Sequence, residues 1–193
     1  MGYSLFVAVL VEQNSAYELI LRAQSIWKGH SYIAWEDYNH LHITLGFANM
    51  NSAPYQIPKK ATLMASAIEN HLKTQRAFDV MFDQFAWFGS DKTILTLTTG
   101  QNKNQHLRDL AKTIHSKLKH CGLLNVSTQW RFNPHITLGA YCLEGDALHH
   151  VFSSQPRGGI ATRVAIQNVC ICASYPNELH SRVLYNIPLL PPS

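Results

Sequence analysis

Charge is sparse in this chain. Asp and Glu number 12 against 16 Lys and Arg in 193 residues, and charged residues make up only 15%, well below the usual quarter. The formal net charge of +4 leans toward anionic partners but is too small to specify nucleic acid by itself. Cysteine is also scarce. Cys121, Cys142, Cys170 and Cys172 form no C-x-x-C pair, which excludes the usual zinc and redox spacings. Cys170 and Cys172 fall on one face of an apolar strand and read as small buried hydrophobes. No apolar run is long enough to span a bilayer. The opening Met1–Phe6 lacks a basic region and a small-residue cleavage site, so it reads as a first strand and not as a signal peptide. Phe6 stands where myristoylation after Gly2 would want Ser or Thr. A cytoplasmic protein with no membrane attachment is the expectation. No low-complexity linker divides the chain.

Hydrophobic residues, at 46%, suffice for a packed core. The pattern predicts a strand over Tyr3–Val11, then a capping box at Ser15-Ala-Tyr-Glu18 opening a helix to about Lys28, stopped at Gly29. The strand bearing His42 follows a loop containing Trp35. Pro58 opens a second helix over about Lys59–Lys73, and a strand runs near Phe78–Phe88. Thr93–Thr99 is a strand, Asn104–Cys121 a helix stopped by Gly122, and the strand with His135 comes next. A short helix around Asp146–Phe152 and two strands, near Arg163–Ala173 and Arg182–Leu189, close the chain. Strand, helix, histidine strand, helix, strand occurs twice. We read this as an internal duplication of an α+β lobe within one folding unit, the lobes covering about 1–90 and 91–193.

The chemistry is carried by a repeated pentapeptide. His-Ile-Thr-Leu-Gly stands at His42–Gly46 and again at His135–Gly139. On a strand, alternation puts His42 with Thr44, and His135 with Thr137, on one face, while Ile43, Leu45, Ile136 and Leu138 anchor the other. Two imidazoles offer what phosphoester chemistry asks of neutral pH: one proton acceptor and one donor. Gly46 and Gly139 share the histidine face by parity and leave room for a ligand above the sheet. Arg131, four residues before His135, suits phosphate oxygens. Tyr141, on the His135 face by the same parity, is placed to stack on a nucleobase, with Trp35, Phe47 and Phe88 as looser candidates. His40-Leu41-His42 is a His-x-His pair on one strand face, the beginning of a metal set. It leaves the second pentapeptide unexplained, so the expectation is no metal and no cofactor.

These motifs resemble those of the 2H phosphoesterase superfamily, in its 2′-5′ RNA ligase-like and cyclic phosphodiesterase branch, which carries two H-x-[ST]-hydrophobic motifs. His42–Leu45 and His135–Leu138 match both. Leu5–Ala8 resembles the family's opening strand. Phe85–Gly89 with Thr93–Thr99 resembles its central segment, Arg131–His135 its approach to the second motif, and Val183–Tyr185 its closing strand. Glu36–His40 departs from the usual Pro-Glu-Asn-Leu, and Gly46 replaces a bulkier residue, both near the substrate mouth. The resemblance implies an α+β bilobal fold in which two antiparallel sheets face a central cleft with helices outside. It implies hydrolysis of a 2′,3′-cyclic phosphate of RNA ends or nucleotides, with His42, His135, Thr44 and Thr137 catalytic. Arg131, Tyr141, His40 and Trp35 are the candidate substrate contacts. By analogy His135 activates water and His42 protonates the leaving oxygen, although identical motifs cannot fix that order. A monomer acting on RNA or nucleotide is expected. The alternatives are 2′-5′ cleavage or ligation, a non-catalytic RNA- or nucleotide-binding module, and a metal-dependent hydrolase built on His40 and His42.

Overall fold

Two periodicities divide the chain between a sheet and its helical cover. The structure, a computed structural model, describes residues 3–29, 32–48, 53–89, 93–100, 103–124, 131–141, 160–176, 178 and 180–192. In chain order the elements are β1 (Ser4–Leu10), α1 (Gln13–Ile26), β2 (Ile33–Trp35), β3 (His42–Phe47), α2 (Ile57–Leu72), β4 (Phe78–Phe82), β5 (Gln84–Phe88), β6 (Ile94–Thr98), α3 (Gln105–His120), β7 (His135–Tyr141), β8 (Thr162–Ile166), β9 (Asn168–Ser174) and β10 (Arg182–Pro188). A 3-10 turn, Tyr38–His40, leads into β3. The expected helix at Asp146–Phe152 lies outside the described residues.

The fold is α+β with antiparallel pairing throughout the main sheet, ordered β10-β9-β1-β3-β7-β6-β5, with β2 added alongside β7. One antiparallel block comprises β10, β9, β1 and β3, and another comprises β7, β6, β5 and β2. A single register pair, Ile43 with Ile136, joins them. The blocks exchange strands along the chain: β2 lies against β7, whereas β9 and β10 lie against β1. A separate two-stranded sheet pairs β4 with β8.

The helices cover one face of the sheet. In α1 the buried residues are Ala16, Leu19, Ile20 and Ala23, and in α3 they are Leu107, Leu110, Ala111, Ile114 and Leu118. Both sets follow the three-and-four spacing of an amphipathic helix. They share one core with Ile43, Leu45, Ile136 and Leu138. Each of these four motif side chains is fully buried and contributes about 1.5–3 kcal/mol, so the apolar half of each pentapeptide fixes the polar half in place. A second, smaller cluster of Phe6, Ala8, Cys170 and Cys172 lies on the opposite side of β1 and β9. Burial raises the Cys170 thiol to about 11 and the Cys172 thiol to about 12, as expected of packing cysteines.

Three sequence expectations are corrected. Helix α1 starts earlier than the Ser15–Glu18 box. Glu12 caps it, its carboxylate accepting from the Asn14 and Ser15 amides at 3.1 and 3.0 Å, so Ser15 is already helical. The Phe78–Phe88 strand is two strands, broken at Asp83, which enter different sheets. Arg163–Ala173 likewise splits at Gln167 into β8 and β9. A continuous apolar run does not record the point at which a chain changes sheets.

Both motif strands bulge at the same place. Val7 pairs with Gly46 and Ala8 with Thr44, leaving Leu45 without a partner. Leu95 pairs with Gly139 and Thr96 with Thr137, leaving Leu138 in the same position. An extra residue resets side-chain parity. Hence Leu45 and Gly46 are both buried, as are Leu138 and Gly139. The two glycines then differ. A Cβ on Gly46 meets nothing within 4 Å, whereas one on Gly139 would lie 2.6 Å from the Ala34 carbonyl oxygen and 3.1 Å from Trp35 Cα. Gly139 therefore admits strand β2, not a ligand. Gly139→Ala should destabilise the protein by about 1–3 kcal/mol through overpacking against backbone. Gly46→Ala should stay within about 0.5 kcal/mol of wild type. Urea denaturation of the two variants side by side checks the difference.

Candidate active site

The four polar motif side chains surround the pair that joins the blocks. Ile43 and Ile136 both point into the core, so their neighbours on each strand point to the other face. Continuing the antiparallel register sets His42 across from Thr137 and Thr44 across from His135. An approximate twofold axis thus passes through the Ile43–Ile136 pair, with one histidine and one threonine on each side. Thr44 and His135, from different motifs, line one pocket of about 210 Å³ with Gly46, Phe47, Phe88 and Arg131. His42 lines an adjoining pocket of about 320 Å³ with Phe6, Glu36, His40 and His180.

The two imidazoles are held identically. His42 Nδ1 lies 2.8 Å from the carbonyl oxygen of His40, and His135 Nδ1 lies 2.8 Å from that of Asn133. A carbonyl only accepts, so each Nδ1 carries the proton and donates it, leaving Nε2 as the working nitrogen of the neutral ring. An aromatic ring flanks each: Phe6 against His42 at 5.3 Å between centroids, and Phe88 stacked on His135 at 4.4 Å. The lead-in to His135 is braced further. Arg108, on α3, donates to the carbonyl of Phe132, and Thr98 donates to that of Pro134. No strand pattern marks Arg108, because it acts through backbone across a tertiary contact.

Desolvation pushes His42 below the ordinary imidazole value, opposed by its bond to the His40 carbonyl and by the Glu36 charge, and reinforced by His135 and His40. His42 is therefore biased toward the neutral form.

Of the other predicted contacts, Arg131 is exposed and lines the Thr44–His135 pocket, and Phe47, 60% exposed, lines it as well. Tyr141 is corrected. It is 7% exposed, belongs to the core and packs on Trp87 at 4.9 Å, and burial raises its hydroxyl to about 12. The bulge at Leu138 shifts the parity that put it on the histidine face. Trp35 pairs with Gly139 and packs half-buried against the core, and it lines neither pocket. His40 does line the His42 pocket, but it ends a 3-10 turn and is not on the strand. The His-x-His pair on one strand face does not form. Its ring stacks instead on His180 at 3.8 Å, beside Asp37. Asp37 and His180 had not been singled out in the sequence. Asp37 was legible three residues before His40, whereas His180, far along the chain, carried no local signal.

A family model described as the 2′-5′ RNA ligase superfamily matches residues 15–156. No curated protein matches the chain in sequence. Among solved structures, a phosphoesterase is similar at TM-score 0.72 and 19% identity, covering 98% of this chain and 99% of its own. Escherichia coli LigT with 3′-AMP is similar at 0.70 and 19%, with the same coverage. The protein TT0787 of Thermus thermophilus is similar at 0.72 and 13%, over 98% of this chain and all of that one. At such identities these likenesses speak for the fold, while the family match rests on sequence. No helix among the described residues is long and apolar enough to cross a membrane. The chain belongs to the 2′-5′ RNA ligase superfamily of 2H phosphoesterases.

Proposed function

We propose that the protein is a phosphodiesterase that opens the 2′,3′-cyclic phosphate of RNA ends or nucleotides by paired histidine acid–base catalysis, needing no metal for the chemical step. The observation that carries this reading is the symmetric pair of imidazoles, each fixed through Nδ1 to a backbone carbonyl and each set across from the other motif's threonine. A phosphorus between them would have one Nε2 on either side, as in-line displacement requires. Water attacks phosphorus as one Nε2 takes its proton. The bond from phosphorus to one ribose oxygen breaks, and that oxygen receives a proton from the second imidazole. Thr44 and Thr137 hydroxyls donate to the non-bridging oxygens, where charge accumulates. Arg131, at the edge of the Thr44–His135 pocket, adds a cation that suits a phosphate or the next nucleotide's backbone. The similar LigT structures with 3′-AMP, NADP+, phosphate and ATP support a nucleotide-sized, phosphate-bearing ligand. Cleavage or ligation of 2′-5′ linkages uses the same constellation and is the second reading, favoured by the family match itself.

The two histidines need opposite protonation states. The lowered pKa of His42 suits it to accept the proton. The order by analogy, with His135 activating water, instead requires the substrate's negative phosphate to draw a proton onto His42. A cyclic substrate with sulfur in place of the leaving oxygen separates these, because it needs no acid and rescues only the variant that lacks the acid.

His42→Ala and His135→Ala should each lower kcat by about 10²–10⁴ on a cyclic-phosphate substrate, with the double variant little worse than either, since the two act as a unit. The panel should include 2′-5′ and 3′-5′ dinucleotides, with and without EDTA. Full activity in either histidine variant would end the proposal. A 2′-5′ dinucleotide cleaved faster than the cyclic phosphate would favour the second reading.

A second expectation concerns pH. The lower of two coupled pKa values sets the acidic limb of kcat/KM, whichever histidine delivers the proton. Because burial lowers His42 from 6.5, it takes up a proton only below that value. The acidic limb should therefore lie below pH 6.5, and Phe6→Ala, which opens His42 to water, should move it upward. A limb above pH 6.5 in wild type would contradict the burial argument.

A further inference from the structure

The pockets on the two motif histidines carry opposite charge. Arg131 lines the one that holds Thr44 and His135, and among the described residues no Asp or Glu joins it there. Glu36 lines the one that holds His42, and among the described residues no Lys or Arg joins it there. A phosphate is attracted to the first and repelled from the second. A nucleotide whose reacting phosphorus sits between the histidines therefore has its uncharged part, the base, to offer to the His42 pocket. That pocket is about 320 Å³, with apolar walls from Phe6, Leu10 and Val183, of a size and lining that suit a small ligand.

Most polar side chains of this pocket are already engaged. Asn39 donates to Asp37 Oδ1 at 2.9 Å and accepts from Gln13 at 2.8 Å. Ser181 is bonded to Ser174 at 2.6 Å. The His40 and His180 rings stack on each other at 3.8 Å, and His42 is tied through Nδ1 to the His40 carbonyl. Among the described residues the Glu36 carboxylate makes no hydrogen bond or ion pair. It acts on His42 through its charge. Its backbone is nevertheless fixed. Trp35 pairs with Gly139, and the Glu36 amide donates to the Leu138 carbonyl at 2.8 Å. The residue is thus tied to the second motif strand while its side chain lines the pocket of the first. On its other side, the Asp37 cap on Asn39 holds the turn that follows.

A carboxylate only accepts, and its two coplanar oxygens pair best with two parallel N–H donors. Among the common bases only guanine offers these on its Watson–Crick edge, N1–H beside N2–H. Adenine and cytosine set one amino group beside a ring acceptor, and uracil sets one N–H between two carbonyl oxygens. In each of those, an acceptor would face a carboxylate lone pair. We propose that the pocket beside His42 is a base subsite selective for guanine, in which Glu36 accepts from N1–H and N2–H. This rests on the phosphodiesterase reading of the same cleft, and it makes Glu36 a specificity-determining residue.

Calorimetric titration of the four 3′-nucleoside monophosphates into wild type, beside turnover of the four 2′,3′-cyclic nucleotides, tests it. Guanosine 3′-monophosphate should bind at least about tenfold tighter than its adenosine, cytidine and uridine counterparts, and kcat/KM should follow the same order. Glu36→Gln replaces one of the two acceptors by a donor and should abolish the guanine preference, with unchanged far-UV circular dichroism. Any effect of the lost charge on His42 falls on all four substrates alike and cancels in the ratio. Guanine-selective binding without turnover of any cyclic nucleotide would count against the phosphodiesterase reading and leave the subsite standing. Absence of a guanine preference in wild type, or its retention in Glu36→Gln, would overturn the proposal.

Discussion

The architecture turns on one backbone pairing, Ile43 against Ile136. Among the described residues it is the only register pair between the two motif strands, and through it the two antiparallel blocks form one sheet. Because both isoleucines point into a common apolar core, the histidines and threonines on either side face the cleft. A shift of one residue in this register would reverse every one of those side chains. Helix packing on the apolar face and the placing of the four polar motif side chains on the opposite face are therefore consequences of the same constraint.

Equivalent environments follow from equivalent backbones. The bulge at Leu45 is repeated at Leu138, and each imidazole is tied to the carbonyl two residues before it. The protein departs from this symmetry mainly upstream of the motifs. Before His135, Arg108 and Thr98 brace the chain through backbone carbonyls. Before His42 there is a short turn capped by Asp37 and the stacked His40–His180 pair. The His42 and His135 pockets are thus surrounded by different chemistry.

Much of this was legible in the sequence because it depends on local rules. The repeated pentapeptide alternates as read from His42 to Leu45 and from His135 to Leu138, and the three helices lie within two residues of the spans read for them. Reading failed where an event lies between strands. Simple parity put Tyr141 and Gly139 on the ligand side, whereas the Leu138 bulge, visible only in the pairing with β6, sends Tyr141 into the core and turns Gly139 toward β2. The run from Phe78 to Phe88 gave no sign of a change of sheet at Asp83. His180 reaches His40 across most of the chain, so no local pattern could have joined them.

Both motif histidines are held as the Nδ1–H tautomer, which leaves Nε2 as the working nitrogen of each neutral ring. Nitrogen-15 NMR of the imidazoles in the free protein, at a pH where both rings are neutral and assigned with His42→Ala and His135→Ala, tests it directly. The account predicts a protonated Nδ1 and an unprotonated Nε2 at both residues. A proton on Nε2 of either neutral ring would contradict it, because that ring could not take a proton from water or hold one toward the leaving oxygen in the geometry described.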